Sequence, residues 1–114
     1  GQLAVRGDPA GALHWFNQLV ETAAPRAVVH LNRGVVLAQL GRGEEAVADF
    51  RRALELEPTL AEAWLNLGVA AARRGELVEA RGYVAEALRH NPDSAMARQV
   101  LAQLDADISG TVRE

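Results

Sequence analysis

Metal or acid–base chemistry in this 114-residue chain would have to be built from His14, His30 and His90 and from the adjacent carboxylates Glu44 and Glu45. A histidine metal site on a helix needs two imidazoles on one face, as an i, i+4 pair or a His-Glu-x-x-His run supplies, and neither pattern occurs. Cysteine is absent, which excludes thiolate ligation and disulfides alike. Glu44 and Glu45 open a helical stretch, where negative charge complements the positive end of the helix dipole, and that role is preferred to acid–base work. His90, near a helix C-terminus, complements the opposite end in the same way, while His30 falls on a core-facing position as a packing residue. The ten glycines contain no GxGxxG or GxxxxGK(S/T) phosphate cradle. No nucleophile, base and orienting group can be assembled, so neither an enzymatic activity nor a cofactor is expected.

Recognition chemistry is better represented. Asn32 and Asn66 carry amides that both donate and accept hydrogen bonds, and so can grip a peptide backbone whatever its side chains. All 12 cations are arginines, dispersed along a chain of net charge −3. Nucleic acid demands a basic stripe that releases phosphate counterions, so no nucleic-acid partner is expected, and the pairs Arg51-Arg52 and Arg73-Arg74 read as solvated faces. The absence of lysine beside abundant Ala, Arg and Leu points to a GC-rich, bacterial gene. No run approaches the roughly 18 apolar residues of a membrane span, and no charged-then-apolar leader opens the chain. A soluble, cytoplasmic chain without a membrane span is expected.

The elements that must position these residues follow from an internal repeat. An apolar fraction of 49% with only 4% aromatics favours closely packed helices over a sheet core. At an offset of 34, Gly7, Gly41 and Gly75 coincide, as do Ala12, Ala46 and Ala80, then Phe16, Phe50 and Val84, then Val20, Leu54 and Leu88. Recurrence at fixed spacing marks a supersecondary unit that stacks on its own copies. Two complete units are expected, at 27–60 and 61–94, each with two helical runs split by a glycine. Trp64, Leu67, Gly68 and Ala71 form the packing face of one run, and Leu77, Ala80, Val84, Ala87 and Leu88 that of the next. Gly41 and Gly75 end the first helices in a left-handed conformation, and Pro58 and Pro92 end the second ones by driving the preceding residue out of the helical region. Gly34, Gly68, Ala53 and Ala87 leave room for close helix crossings. Trp15 and Tyr83, at equivalent places on second helices, read as half-buried surface residues.

Trp64, Leu67, Gly68, Ala80, Val84, Ala87 and Pro92, with Gly34, Leu37, Ala46, Phe50, Ala53 and Pro58 one unit earlier, resemble the tetratricopeptide repeat family, whose own repeat is 34 residues long. His30 and Arg33 depart from it where a Trp-like and a Leu-like residue are usual, and Val84 where an aromatic is. The resemblance implies an all-α fold, an α-solenoid of antiparallel helix pairs wound into a superhelix, and a non-catalytic module that binds a protein or peptide segment. First helices line the concave groove of such a superhelix. Their sides away from the core carry Val28, Asn32, Val35 and Gln39 in one unit and Glu62, Asn66, Val69 and Arg73 in the next, with Leu31 and Leu65 at the edge. Met96, Val100 and Gln103 continue that surface. Asparagine ladders hold peptides in family members, so the resemblance implies that role for Asn32 and Asn66. Val28, Leu31 and Val35 occupy places where a clamp for an acidic C-terminus would need cations, so an apolar or amphipathic segment is expected.

Residues 1–26 read as the end of a preceding repeat, with Gly7 as helix stop, Asp8 as N-cap and Pro9 at the first helical position. Its first helix survives only as GQLAVR, which predicts a chain that begins inside a longer solenoid. Residues 95–108 are expected to form a capping helix, with Met96, Val100, Leu101 and Leu104 facing inward and Arg98 and Asp105 outward, so that the array ends here. Residues 109–114 are expected as a flexible tail. Two alternatives stand beside peptide binding. One is self-assembly into a homo-oligomer through apolar surface at Leu13, Phe16 and Leu19; the other is service as the targeting segment of a larger enzyme, such as a glycosyltransferase.

Overall fold

The computed structural model describes residues 8–22 and 26–113. Those residues form six helices and no strand: α1 (Pro9–Thr22), α2 (Ala27–Gln39), α3 (Gly43–Leu56), α4 (Ala61–Arg73), α5 (Leu77–His90) and α6 (Ala95–Arg113). Gly7 and the GQLAVR segment, expected as a helix stop and a first-helix remnant, lie outside the described residues. The chain divides into two compact units, Gly1–Pro58 and Thr59–Glu114. In the first, α2 packs against both α1 and α3; in the second, α5 packs against both α4 and α6, and α4 also meets α6.

Helix ends are written in local chemistry. Asp8 caps α1 by accepting the Gly11 N–H on Oδ1 at 3.2 Å, and Pro9 opens the helix at a position whose N–H would have no partner. After α2, Gly41 takes φ 77°, and after α4, Gly75 takes φ 81°. Each glycine allows a pair of closing hydrogen bonds. Arg42 N–H reaches the Leu37 carbonyl at 2.9 Å and Gly41 N–H that of Ala38 at 3.1 Å; Glu76 and Gly75 repeat this on Ala71 and Ala72, both at 3.0 Å. The left-handed residue is what lets the chain double back to satisfy carbonyls that the helix leaves open. Before Pro58 and Pro92, Glu57 (φ −144°, ψ 89°) and Asn91 (φ −143°, ψ 83°) leave the helical region, as the ring of a following proline demands.

Close crossings join each helix pair. A Cβ built on Gly34 would stand 2.6 Å from Phe50 Cε1, and one on Gly68 would stand 2.6 Å from Val84 Cγ2. Backbone on α2 and α4 therefore meets the side chain that fills the partner helix's central position. Around Val84 the second unit builds an apolar core of Leu65, Ala71, Ala80, Ala87, Ala97 and Leu104, with Trp64, Tyr83 and Leu88 packed on it. Burying a valine fully stabilises by about 1.5–3 kcal/mol, so Val84 serves at the position where Phe50 stands in the first unit.

The last helix departs from expectation in phase and length. Ser94 accepts the Ala97 N–H on Oγ at 3.1 Å, and this N-cap fixes where α6 begins. Ala97, Leu104 and, in part, Val100, Leu101 and Ile108 turn inward, whereas Met96, expected to face the core, is 64% exposed. Asp105, expected to face outward, pairs with Arg81 of α5. The helix continues to Arg113 rather than ending near Asp107. Ile108 keeps its turn half-buried, and a lone Gly110 costs a helix only about 1 kcal/mol, too little to stop it.

Leu13 and Phe16 are buried and Leu19 is half-buried, which removes the apolar surface on which self-assembly was expected. No helix among the described residues is long and apolar enough to cross a membrane.

Candidate functional site

Of the five residues expected on the binding side of α2, Val28, Asn32 and Gln39 are exposed, Val35 is half-buried, and Leu31 is only 2% exposed. On α4, Glu62 and Arg73 are exposed, Asn66 and Val69 half-buried, and Leu65 only 8% exposed. Leu31 and Leu65 are thus packing residues first, and Leu65 belongs to the apolar core of its unit. This follows from phase: each lies one residue before its asparagine, about 100° round the helix toward the packed side. Val69 leans on the same core. Neither the Asn32 nor the Asn66 amide has a hydrogen-bond partner among the described residues. Gln103, expected to extend the surface onto α6, gives an amide N–H to Asp107 Oδ1 at 2.9 Å.

Within the second unit a cavity of about 250 Å³ opens beside the α4 face. Ala61, Glu62 and Leu65 line it from α4, Ala87 and Asn91 from the end of α5, and Ser94 and Met96 from the start of α6. Three residues expected at the site, Glu62, Leu65 and Met96, meet here; Asn66, Val69 and Arg73 are not among its walls. Arg73 lies eleven residues after Glu62, about 16 Å along the helix axis, so the two charges of α4 mark opposite ends. Ala61, Ala87, Asn91 and Ser94 were not foreseen as lining residues. Their signal is the Asn91-Pro92-Asp93-Ser94 turn, which reads in sequence as a helix stop and in three dimensions also shapes a wall.

The first unit holds a polar trio that sequence reasoning left unassembled. Asp49 of α3, only 4% exposed, accepts from Arg33 Nε and Nη2 of α2, both at 2.7 Å, and lies 3.1 Å from His30 Nδ1. Arg33 also gives a longer bond to Asn17 of α1, at 3.4 Å. A histidine oriented by an aspartate is half of a nucleophile-activating set; among the described residues no hydroxyl partners His30, and the sequence has no cysteine. The trio ties α2 to α3 through a largely buried network. No buried side-chain nitrogen or oxygen among the described residues is left without a partner. The departures at His30 and Arg33 are explained together: the second unit has Trp64, Leu67 and Tyr83 at the places of His30, Arg33 and Asp49. The repeat itself carries the missing signal, since at offset 34 Asp49 falls between two aromatics, Trp15 and Tyr83.

Other titratable groups serve helix ends and surfaces. Arg42 donates to both oxygens of Glu45, at 2.8 and 2.7 Å, and this hydrogen-bonded pairing holds the Glu45 carboxyl below its usual range while raising Arg42. His90 is stacked on Trp64 with ring centroids 6.4 Å apart and planes 16° from parallel, and its Nε2 lies 3.6 Å from Glu86. It thus packs against α4 as well as lying in the last turn of α5. Trp15, edge-on to Phe16 at 5.0 Å, is 42% exposed, and Tyr83 is half-buried. No three His, Asp or Glu side chains converge as a metal-holding group among the described residues.

Known proteins place this architecture. The TPR domain of Sgt2 from Aspergillus fumigatus superposes with a TM-score of 0.90 at 19% identity, covering 99% of this chain and 76% of that one. The second TPR domain of human RPAP3, solved with the HSP70 peptide SGPTIEEVD, superposes with a TM-score of 0.83 at 21% identity, covering 91% and 87%. At such identities the likeness speaks for the fold. Among curated proteins, the O-mannosyl-transferase TMTC1 of Homo sapiens is 34% identical over 83 residues, 71% of this chain and 9% of that protein's length. The tetratricopeptide repeat model matches residues 3–61 and 31–95, and with the 34-residue helix pairs, the glycine-closed hairpins and the small-residue crossings, the chain belongs to the tetratricopeptide repeat family.

Proposed function

We propose that this chain is a non-catalytic interaction module that binds a segment of a partner polypeptide along the outward sides of α2 and α4. The observation that carries this reading is the pair of unpartnered amides, Asn32 and Asn66, at the same register in two repeats. A polar side chain at the same register in two repeats matches a ligand that is itself a repeating backbone. The peptide held by the RPAP3 domain supports the same use of the fold. Val28 and Val35 beside the amides favour an apolar or amphipathic segment. The test is selection of binding peptides from a random display library on the wild-type chain, followed by titration against Asn32→Ala/Asn66→Ala. Two lost hydrogen bonds at about 1 kcal/mol each predict on the order of 10- to 30-fold weaker binding, with an unchanged helical circular dichroism spectrum. Undiminished affinity in the double variant removes Asn32 and Asn66 from the account.

A second reading makes this segment the partner-recognition part of a larger enzyme. It is favoured by the match to 9% of the length of an O-mannosyl-transferase. An antibody raised against residues 27–94 should then detect, in the native cell, a polypeptide several times longer than this chain. A band of 114-residue size alone defeats it.

A further inference from the structure

We propose that the cavity walled by α4, the end of α5 and the start of α6 receives a lysine or arginine side chain of the bound polypeptide. This deepens the reading of the chain as a peptide-binding module and rests on it. Size comes first. At about 250 Å³ the cavity falls below the roughly 300–1,000 Å³ of sites that hold whole small molecules, and suits one long side chain.

Lining comes next. Ala61, Leu65, Ala87 and Met96 offer an apolar sleeve against which the methylenes of a basic side chain pack while its charged end stays near water. Charge then selects the occupant. Two helix ends border the cavity, the C-terminus of α5 and the N-terminus of α6. Their partial charges, about half a unit each and opposite in sign, offset one another, and Ser94 already engages the Ala97 N–H of α6. Glu62 is the remaining formal charge on the walls, and its carboxylate has no ion pair among the described residues. Arg98, the cation nearest in sequence to the α6 wall, is not among the lining residues and is bonded to the Pro92 carbonyl at 2.7 Å. Asn91, also on the walls, carries a neutral amide that can accept a hydrogen bond. An acidic side chain would meet Glu62 unscreened, and a purely apolar one would leave the carboxylate unused.

Met96 is the chain's single methionine, so a methyl-13C-methionine label on the full-length chain gives one NMR signal that reports this cavity. The probes are the Nα-acetyl N-methylamides of lysine, norleucine and glutamate. The lysine probe should shift the Met96 methyl signal saturably, and more tightly than either of the others. Glu62→Gln should weaken the lysine probe about threefold at low salt, the range of an exposed ion pair, and leave norleucine unchanged. Norleucine or glutamate binding as tightly as lysine overturns the proposal, as does a lysine affinity indifferent to Glu62→Gln, or no shift with any probe. Each of those outcomes leaves the asparagine-ladder titration standing or falling by its own result, so failure of the cavity and failure of peptide binding remain distinguishable.

Discussion

Asp49 carries a full charge in a nearly sealed position because two basic side chains on the facing helix surround it. Removing one member of a buried ion pair costs about 3–5 kcal/mol, since the other charge stays behind. Arg33 keeps 23% of its side chain in water, which lowers the expectation for Asp49→Ala to about 2–4 kcal/mol, read from urea unfolding followed by circular dichroism. The second unit suggests the repair. His30→Trp, Arg33→Leu and Asp49→Tyr together copy Trp64, Leu67 and Tyr83, and exchange of a buried ionic set for apolar residues of fitting shape is commonly neutral or stabilising. The triple variant should unfold within about 1 kcal/mol of wild type or above it; stability no better than that of Asp49→Ala would refute the account. His30 is legible in sequence as a satisfied, core-facing residue. Its partner is not, because the bond joins residues 19 apart and nothing in the local pattern names the acceptor.

At the level of the helix, glycines differ in what they answer: some a close crossing, some a helix end, and Gly82 neither. Gly68 faces Val84 Cγ2 and the Ala80 carbonyl across the crossing, so Gly68→Ala overpacks a rigid contact and should cost about 1–3 kcal/mol. Gly82, in the middle of α5 with nothing within 4 Å of a built Cβ, has no such reason. Gly82→Ala should stabilise by about 0.5–1 kcal/mol through helix propensity and a less disordered unfolded chain. Thermal melts of the two variants should move in opposite directions, and a fall in melting temperature for Gly82→Ala would contradict the packing described. Helix ends are the most legible part of this fold: Gly41, Gly75, Pro58, Pro92 and the Asp8-Pro9 start each act through backbone geometry within a few residues. The rotation of α6 was less so. Met96 and Ala97 are neighbours with similar claims on the inward side, and packing against the core of the second unit takes Ala97.

For the chain as a whole, repetition at 34 residues makes the helix pairs visible in sequence. The proposed binding face is visible only in part, because the same 100° step that turns Asn32 and Asn66 from the core leaves Leu31 and Leu65 on a boundary that packing resolves toward it. The cavity beside Glu62 depends on three helices at once and has no periodic signature. One consequence of the Asp49 network concerns the path to the folded state. Near-copies of one hairpin in a single chain invite exchange, a first helix docking on the second helix of the wrong copy. With α2 on α5, Arg33 and His30 would face Tyr83 without a carboxylate; with α4 on α3, Trp64 would cover Asp49. Each mismatch strands a buried charge at a cost of about 3–5 kcal/mol. The polar trio thereby acts as an address, giving each first helix a preference for its own partner before the rest of the chain has found its place.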